Sequence, residues 1–153
     1  MKKMVLLSML LVAFMASGVF AAADQSKNPE TSVGSKGAVI AKDEKITVAK
    51  ASGANAITVA EAFANSKKLD NKKVVISGKV VKVSTGIMKR NWIHIQDGTG
   101  SPKNGTDNLV CTSKDLAKVG DVITVSGTLA KDRDFGSGYR YNAIIENAAF
   151  TKK

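Results

Sequence analysis

The run Lys73–Val83 constrains this chain more than any other stretch. It is eleven residues long, rich in Val, and interrupted once by Gly78. Val74 and Ile76 share one face before the glycine, and Val81 and Val83 take the opposite parity after it. In a strand, side chains alternate, so a change of parity at a glycine marks a bulge or a sharp bend. A long strand bent in this way can serve both sides of a small closed barrel.

Four further β-type segments follow. Asn91–Gln96 alternates, with Ile93 and Ile95 on one face and Trp92, His94 and Gln96 on the other. Leu109–Thr112 is a short third strand. Val122–Leu129 is a fourth, with Ile123, Val125, Gly127 and Leu129 on its apolar side. Tyr139–Asn147 is a fifth, after a loop over Asp132–Gly138. Asp97-Gly98-Thr99-Gly100 reads as a turn. Ahead of the strands, Thr58 and Glu61 fit a capping box that opens a helix over Val59–Lys68, with Val59, Ala62, Phe63 and Leu69 as its buried stripe. Ser113 can cap a short helix running to Val119, ended by Gly120-Asp121. The resulting order predicts an all-β fold: a five-stranded Greek-key OB-fold barrel with an N-terminal helix and a short helix between strands 3 and 4. An SH3-type barrel is the rival, but it has no place for a helix after strand three.

The N-terminus reads as an export signal. Lys2 and Lys3 precede an apolar run, Met4–Phe20, and Val19 and Ala21 are small residues at a cleavage site. No Cys follows the run, so a lipid anchor is not expected. Residues 1–21 are therefore expected to be a signal peptide and the protein to be periplasmic or secreted. That segment holds two Lys and no acid, so its removal lowers the formal charge from +10 to +8. Residues 22–55 read as a flexible tether with a possible edge strand at Ala38–Ile40 or Ile46–Val48. Residues 56–153 form the expected OB-fold domain. With one Cys and one His, a disulfide framework, a cysteine cluster and a multi-histidine metal site are excluded. The spacing of Met88, His94 and Cys111 does not require copper, so no metal and no cofactor are expected. No nucleophile motif, phosphate loop or metalloprotease motif is present, so an enzyme is not expected.

An OB barrel binds its ligands on the face of strands 2 and 3, between the loops joining strands 1–2 and strands 4–5. Here those loops are Ser84–Arg90 and Ala130–Gly138. The three arginines of the chain, Arg90, Arg133 and Arg140, lie in or beside them. So do Met88, Lys89, Lys131, Trp92, Phe135, Tyr139 and Tyr141. Arginine offers a planar fork for phosphate, and aromatic rings offer faces for bases or sugars. With His94 and Gln96 these residues make the candidate ligand surface. A plainer reading also stands. Arg90, Arg133 and Arg140 can pair with Asp132, Asp134 and Glu146, Trp92 can simply cover the barrel, and the tyrosines can be cross-strand packing. Cys111 reads as a small buried hydrophobe.

The strings Gly78–Val83, Asn91–Gly100 and Val119–Gly127 resemble the OB-fold nucleic-acid-binding domains of the anticodon-binding type. Gly86–Gly98 and Asp134–Tyr141 resemble a periplasmic group of exported bacterial OB-fold proteins. The resemblance implies the fold and, by analogy, nucleic-acid binding. Three functions remain open at this level. One is a monomeric exported module for single-stranded nucleic acid or another polyanion. Another is an envelope protein-interaction module serving respiratory proteins. The third is a small-ligand or carbohydrate binder. No membrane span is expected after signal cleavage.

Overall fold

A computed structural model describes residues 45–153. The expected signal peptide, residues 1–21, and the tether over residues 22–44 with its run Ala38–Ile40 lie outside the described residues. The elements are α1 (Val59–Ala64), α2 (Ser66–Leu69), β1 (Lys73–Ile87), β2 (Arg90–Gln96), a 3-10 turn (Pro102–Asn104), β3 (Leu109–Ser113), β4 (Val122–Asp134) and β5 (Arg140–Lys152). The five strands are neighbours in the order β1-β2-β3-β5-β4, and β4 pairs back onto β1 to close a ring. All ladders are antiparallel except that of β3 with β5. No helix among the described residues is long and apolar enough to cross a membrane.

Ring closure rests on β1 changing partner. Lys73–Gly78 pair with β4, and from Lys79 onward the strand pairs with β2. The exchange falls at Gly78, as the bent strand required, but the parity change does not. Val74, Ile76 and Val80 all face the interior, and the register slips between Val80 and Lys82, which brings Val83 inward. The irregularity is thus at Val81. Gly78 serves close approach instead: a Cβ there would lie 3.0 Å from Ile95 Cβ and 3.3 Å from Gln96 O. Gly127 is tighter. Asn147 and Ala148 of β5 lie opposite this one residue of β4, and a Cβ on it would overlap Ile145 Cγ2 and lie 3.1 Å from Glu146 O.

Inside the ring, Ile76, Ile93, Ile95, Leu109, Cys111, Ile123, Val125, Leu129 and Ile145 make one buried cluster. Each such aliphatic contributes about 1.5–3 kcal/mol by leaving water. Helix α1 adds Val59 and Ala62 to that cluster. Its capping box is formed: Glu61 N–H donates to Thr58 Oγ1 at 3.1 Å, and Thr58 N–H donates to Glu61 Oε2 at 2.7 Å. A second clamp comes from the turn after β2. Asp97, only 3% exposed, accepts from Val59 N–H at 2.9 Å through one carboxylate oxygen and from Thr99 N–H at 2.9 Å through the other. Thr99 Oγ1 then accepts from Ala60 N–H. The Asp97–Gly100 turn thus fastens the helix start, where orphan amides need acceptors.

Several expectations need correction. The helical segment breaks at Asn65 into two short helices. The run Ile46–Val48 is not a strand, although Val48 N–H donates to Asp97 O. Strands β4 and β5 run farther than expected, so the loop between them is only residues 135–139. Most significantly, no helix forms between β3 and β4. Asn91 Nδ2 takes the carbonyls of Lys114 and Asp115, which a helix would have used internally. Ser113 Oγ accepts from Asp115 N–H but also donates to Ala148 O, which ties it to β5. Asp121 captures Lys118 N–H. Side chains have replaced the bonds a single helical turn would supply.

Gly78→Val and Gly127→Val should each destabilise by about 2 kcal/mol or more, Gly127 the more, because both insert a side chain against backbone or a packed isoleucine. Urea unfolding monitored by far-UV circular dichroism measures this. Wild-type midpoints would contradict the closed packing at these positions.

Candidate functional site

Alternation along β2 sends Ile93 and Ile95 inward and Trp92, His94 and Gln96 to the outer face, as expected. Trp92 nevertheless is only 3% exposed. It forms a second apolar cluster outside the ring with Val110, Ala130 and Ile144, edged by Ile87, Phe135 and Tyr141. The Phe135 ring meets it edge-on at 5.0 Å between centroids, Tyr141 lies at 5.6 Å and Tyr139 at 6.1 Å. The indole N–H donates to Ile87 O at 2.9 Å. The hairpins β1–β2 and β4–β5 therefore converge on one outer face, and Trp92 is the joint. The loop Phe135 finds its cover here. Contacts of this kind contribute about 0.5–1.5 kcal/mol per aromatic pair beyond burial. Trp92 is thus packed by protein rings rather than open to a base.

The charged candidates divide. Arg133 makes a two-pronged pair with Glu146, Nε to Oε2 at 3.0 Å and an Nη to Oε1 at 3.2 Å, and lies over Phe135. Lys131 pairs with Asp132, and Asp134 accepts from Gly136 N–H. Gln96 donates to Asp107 at 2.9 Å. Arg90 and Arg140 make no ion pair among the described residues. They line separate grooves.

Arg140 lines a groove of about 290 Å³ on the outer face, with His94, Asn108, Val110, Tyr141 and Asn142; no carboxylate lines it. His94 Nδ1 lies 3.2 Å from Asn108 Oδ1, a geometry in which the ring donates and leaves Nε2 as an acceptor. Burial first, then the nearby Lys82 charge, hold its pKa below the usual value, while the Asn108 contact acts the other way. Burial, helped by Tyr139, pushes the Tyr141 phenol up. Asn108 and Asn142 had no motif to announce them; only the register of β2 on β3 and the hairpin's fold-over bring them to His94.

Arg90 lines a larger groove, about 580 Å³, at the end of the β1–β2 hairpin. Met88 and Lys89 are also here, together with Lys114, Asp115 and Ala148. Met88 and Lys89 form the hairpin's two-residue turn, both at left-handed φ, 52° and 60°. Turns of this type favour Asn-Gly, so two long side chains carry a conformational cost. Lys114 falls in the segment that the sequence predicts as a helix, so nothing in the sequence brings it to the β1–β2 hairpin.

Cys111 faces the ring interior, and burial pushes its thiol pKa up, while His94 faces outward. No group of three or more His, Cys, Asp or Glu among the described residues could hold a metal ion.

His94 carries a pH test. Its folded pKa lies below the ordinary 6.5, so just under that value the unfolded chain binds the proton and the folded chain does not. Stability should fall as pH drops through about 6.5 and level off below the folded pKa. In urea titrations at a series of pH values, His94→Gln should remove this component. An unchanged profile in the variant would contradict the assignment.

Comparison with protein-family models, with curated proteins and with solved structures finds no match to this chain.

Proposed function

We propose that this chain is an exported OB-fold module that binds a polyanion, with single-stranded nucleic acid as the model ligand, on the outer face of β2, β3 and β5. The ring order, with β3 parallel to β5, supports the Greek-key OB reading. One observation carries the ligand class: Arg140, without an ion pair among the described residues, opens onto a groove lined by no carboxylate. Lys82 lies beside it, opposite His94 in the ladder. The formal charge, +10 for the whole chain and +8 once the expected signal is removed, adds attraction at long range. The binding is electrostatic. Trp92 is enclosed, so stacking on it is not part of the reading.

Titrating oligodeoxythymidylate at several salt concentrations tests this. Affinity should fall steeply with salt, and Arg140→Gln should flatten the log–log slope by about 0.7, the contribution of one phosphate contact on a single strand. Arg133→Gln should leave the slope near wild type, because Glu146 already holds that guanidinium. Binding should also strengthen as pH falls through the folded pKa of His94, which lies below 6.5, because the ring gains charge only there. Absence of binding at low salt would refute the proposal.

A further inference from the structure

The larger groove lies apart from the Arg140 groove and has a different composition. Three cations converge on it: Lys89 and Arg90 from the hairpin tip, and Lys114 from the turn after β3. None of the three makes an ion pair among the described residues. The acid present, Asp115, directs Oδ2 to Phe150 N–H at 3.0 Å. The groove therefore carries a net charge near that needed to neutralise a dianion.

Its position is fixed from both sides. Asn91 Nδ2 holds the carbonyls of Lys114 and Asp115 at 3.3 and 3.0 Å, and Ser113 Oγ joins that turn to Ala148 O on β5. The opposite wall is the left-handed Met88-Lys89 turn. Apolar surface sits among the charges. Met88 is 49% exposed, and Ala148 and Ala149 line the groove. A purely inorganic ion would leave that surface wet. At about 580 Å³ the space is of the size that holds small organic ligands.

We propose that this groove binds an organic phosphate monoester: a dianionic head on Lys89, Arg90 and Lys114, with a short apolar part against Met88, Ala148 and Ala149. The head matches the three uncompensated cations, and arginine and lysine are the natural phosphate partners. The proposal goes beyond polyanion binding and uses none of the residues that line the Arg140 groove.

The probe is n-octyl phosphate below its critical micelle concentration, titrated into the protein and followed by backbone amide shifts and calorimetry. Shifts should centre on residues 88–90, 113–115 and 147–149. Inorganic phosphate should bind about tenfold more weakly or worse, since it cannot bury apolar surface. Lys114→Gln should weaken octyl phosphate roughly fivefold. Lys89→Gly should do the same without loss of fold, because glycine suits the left-handed turn. Arg140→Gln should leave octyl phosphate binding unchanged, while it alters oligonucleotide binding if the outer-face reading holds. Three results would overturn the assignment: no saturable shifts in the groove, equal binding of uncharged octyl glucoside, or wild-type affinity in the Lys89→Gly, Lys114→Gln double variant.

Discussion

The outer surface of this ring is organised by the indole of Trp92. A closed five-stranded sheet needs only its interior filled, and here the interior is complete without the tryptophan. Trp92 builds a second, external cluster. It fixes the β1–β2 hairpin through its N–H bond to Ile87 O and the β4–β5 hairpin through Phe135, Tyr139 and Tyr141. Two hairpins that would otherwise be independent loops become one covered layer. The ring contacts of Phe135 and Tyr139 with Trp92 offset part of the entropy lost in ordering the five-residue tip.

That layer sets the electrostatics. Where the hairpin folds back, acids lie beside cations: Glu146 holds Arg133, and Asp132 holds Lys131. Exposed pairs of this kind contribute little to stability, but they remove charge from the surface available to a ligand. Among the described residues, the candidate cations without an ion pair fall in two grooves, Arg140 in one and Lys89, Arg90 and Lys114 in the other. Counting arginines by loop therefore overstates how many can meet one ligand. The distinction matters because salt dependence follows the number of free cations that touch phosphate, not the total charge.

Strand periodicity made most of the ring legible. The alternation around Ile93 and Ile95, and that of Ile123, Val125 and Leu129, reports which side faces the core, and the Thr58–Glu61 spacing reports the helix start. What could not be read involves side chains distant in sequence. Asn91 lies more than twenty residues from the carbonyls it takes, so the segment after Ser113 looked helical although its acceptors were already engaged. Asp97 looked like an ordinary turn residue because the amide it caps, that of Val59, lies far upstream. In sequence, glycine is the visible breaker and draws the parity change to Gly78, whereas the slip at Val81 accompanies the handover of β1 between two partners. For the ligand surface, residue type showed that Trp92 and the arginines share a neighbourhood. Only the fold shows that Trp92 is enclosed and that the arginines part.

The chain has one tryptophan, so its fluorescence reports this joint directly. The decisive measurement is Trp92 emission during titration with oligodeoxythymidylate at low salt, with binding followed in parallel by anisotropy of a labelled strand. If charge alone holds the ligand and the aromatic layer stays closed, Trp92 emission should be that of a buried indole and remain unchanged through saturation. Strong quenching or a red shift that tracks binding would show the β4–β5 hairpin lifting and a base stacking on Trp92, and would contradict the closed layer on which the account rests.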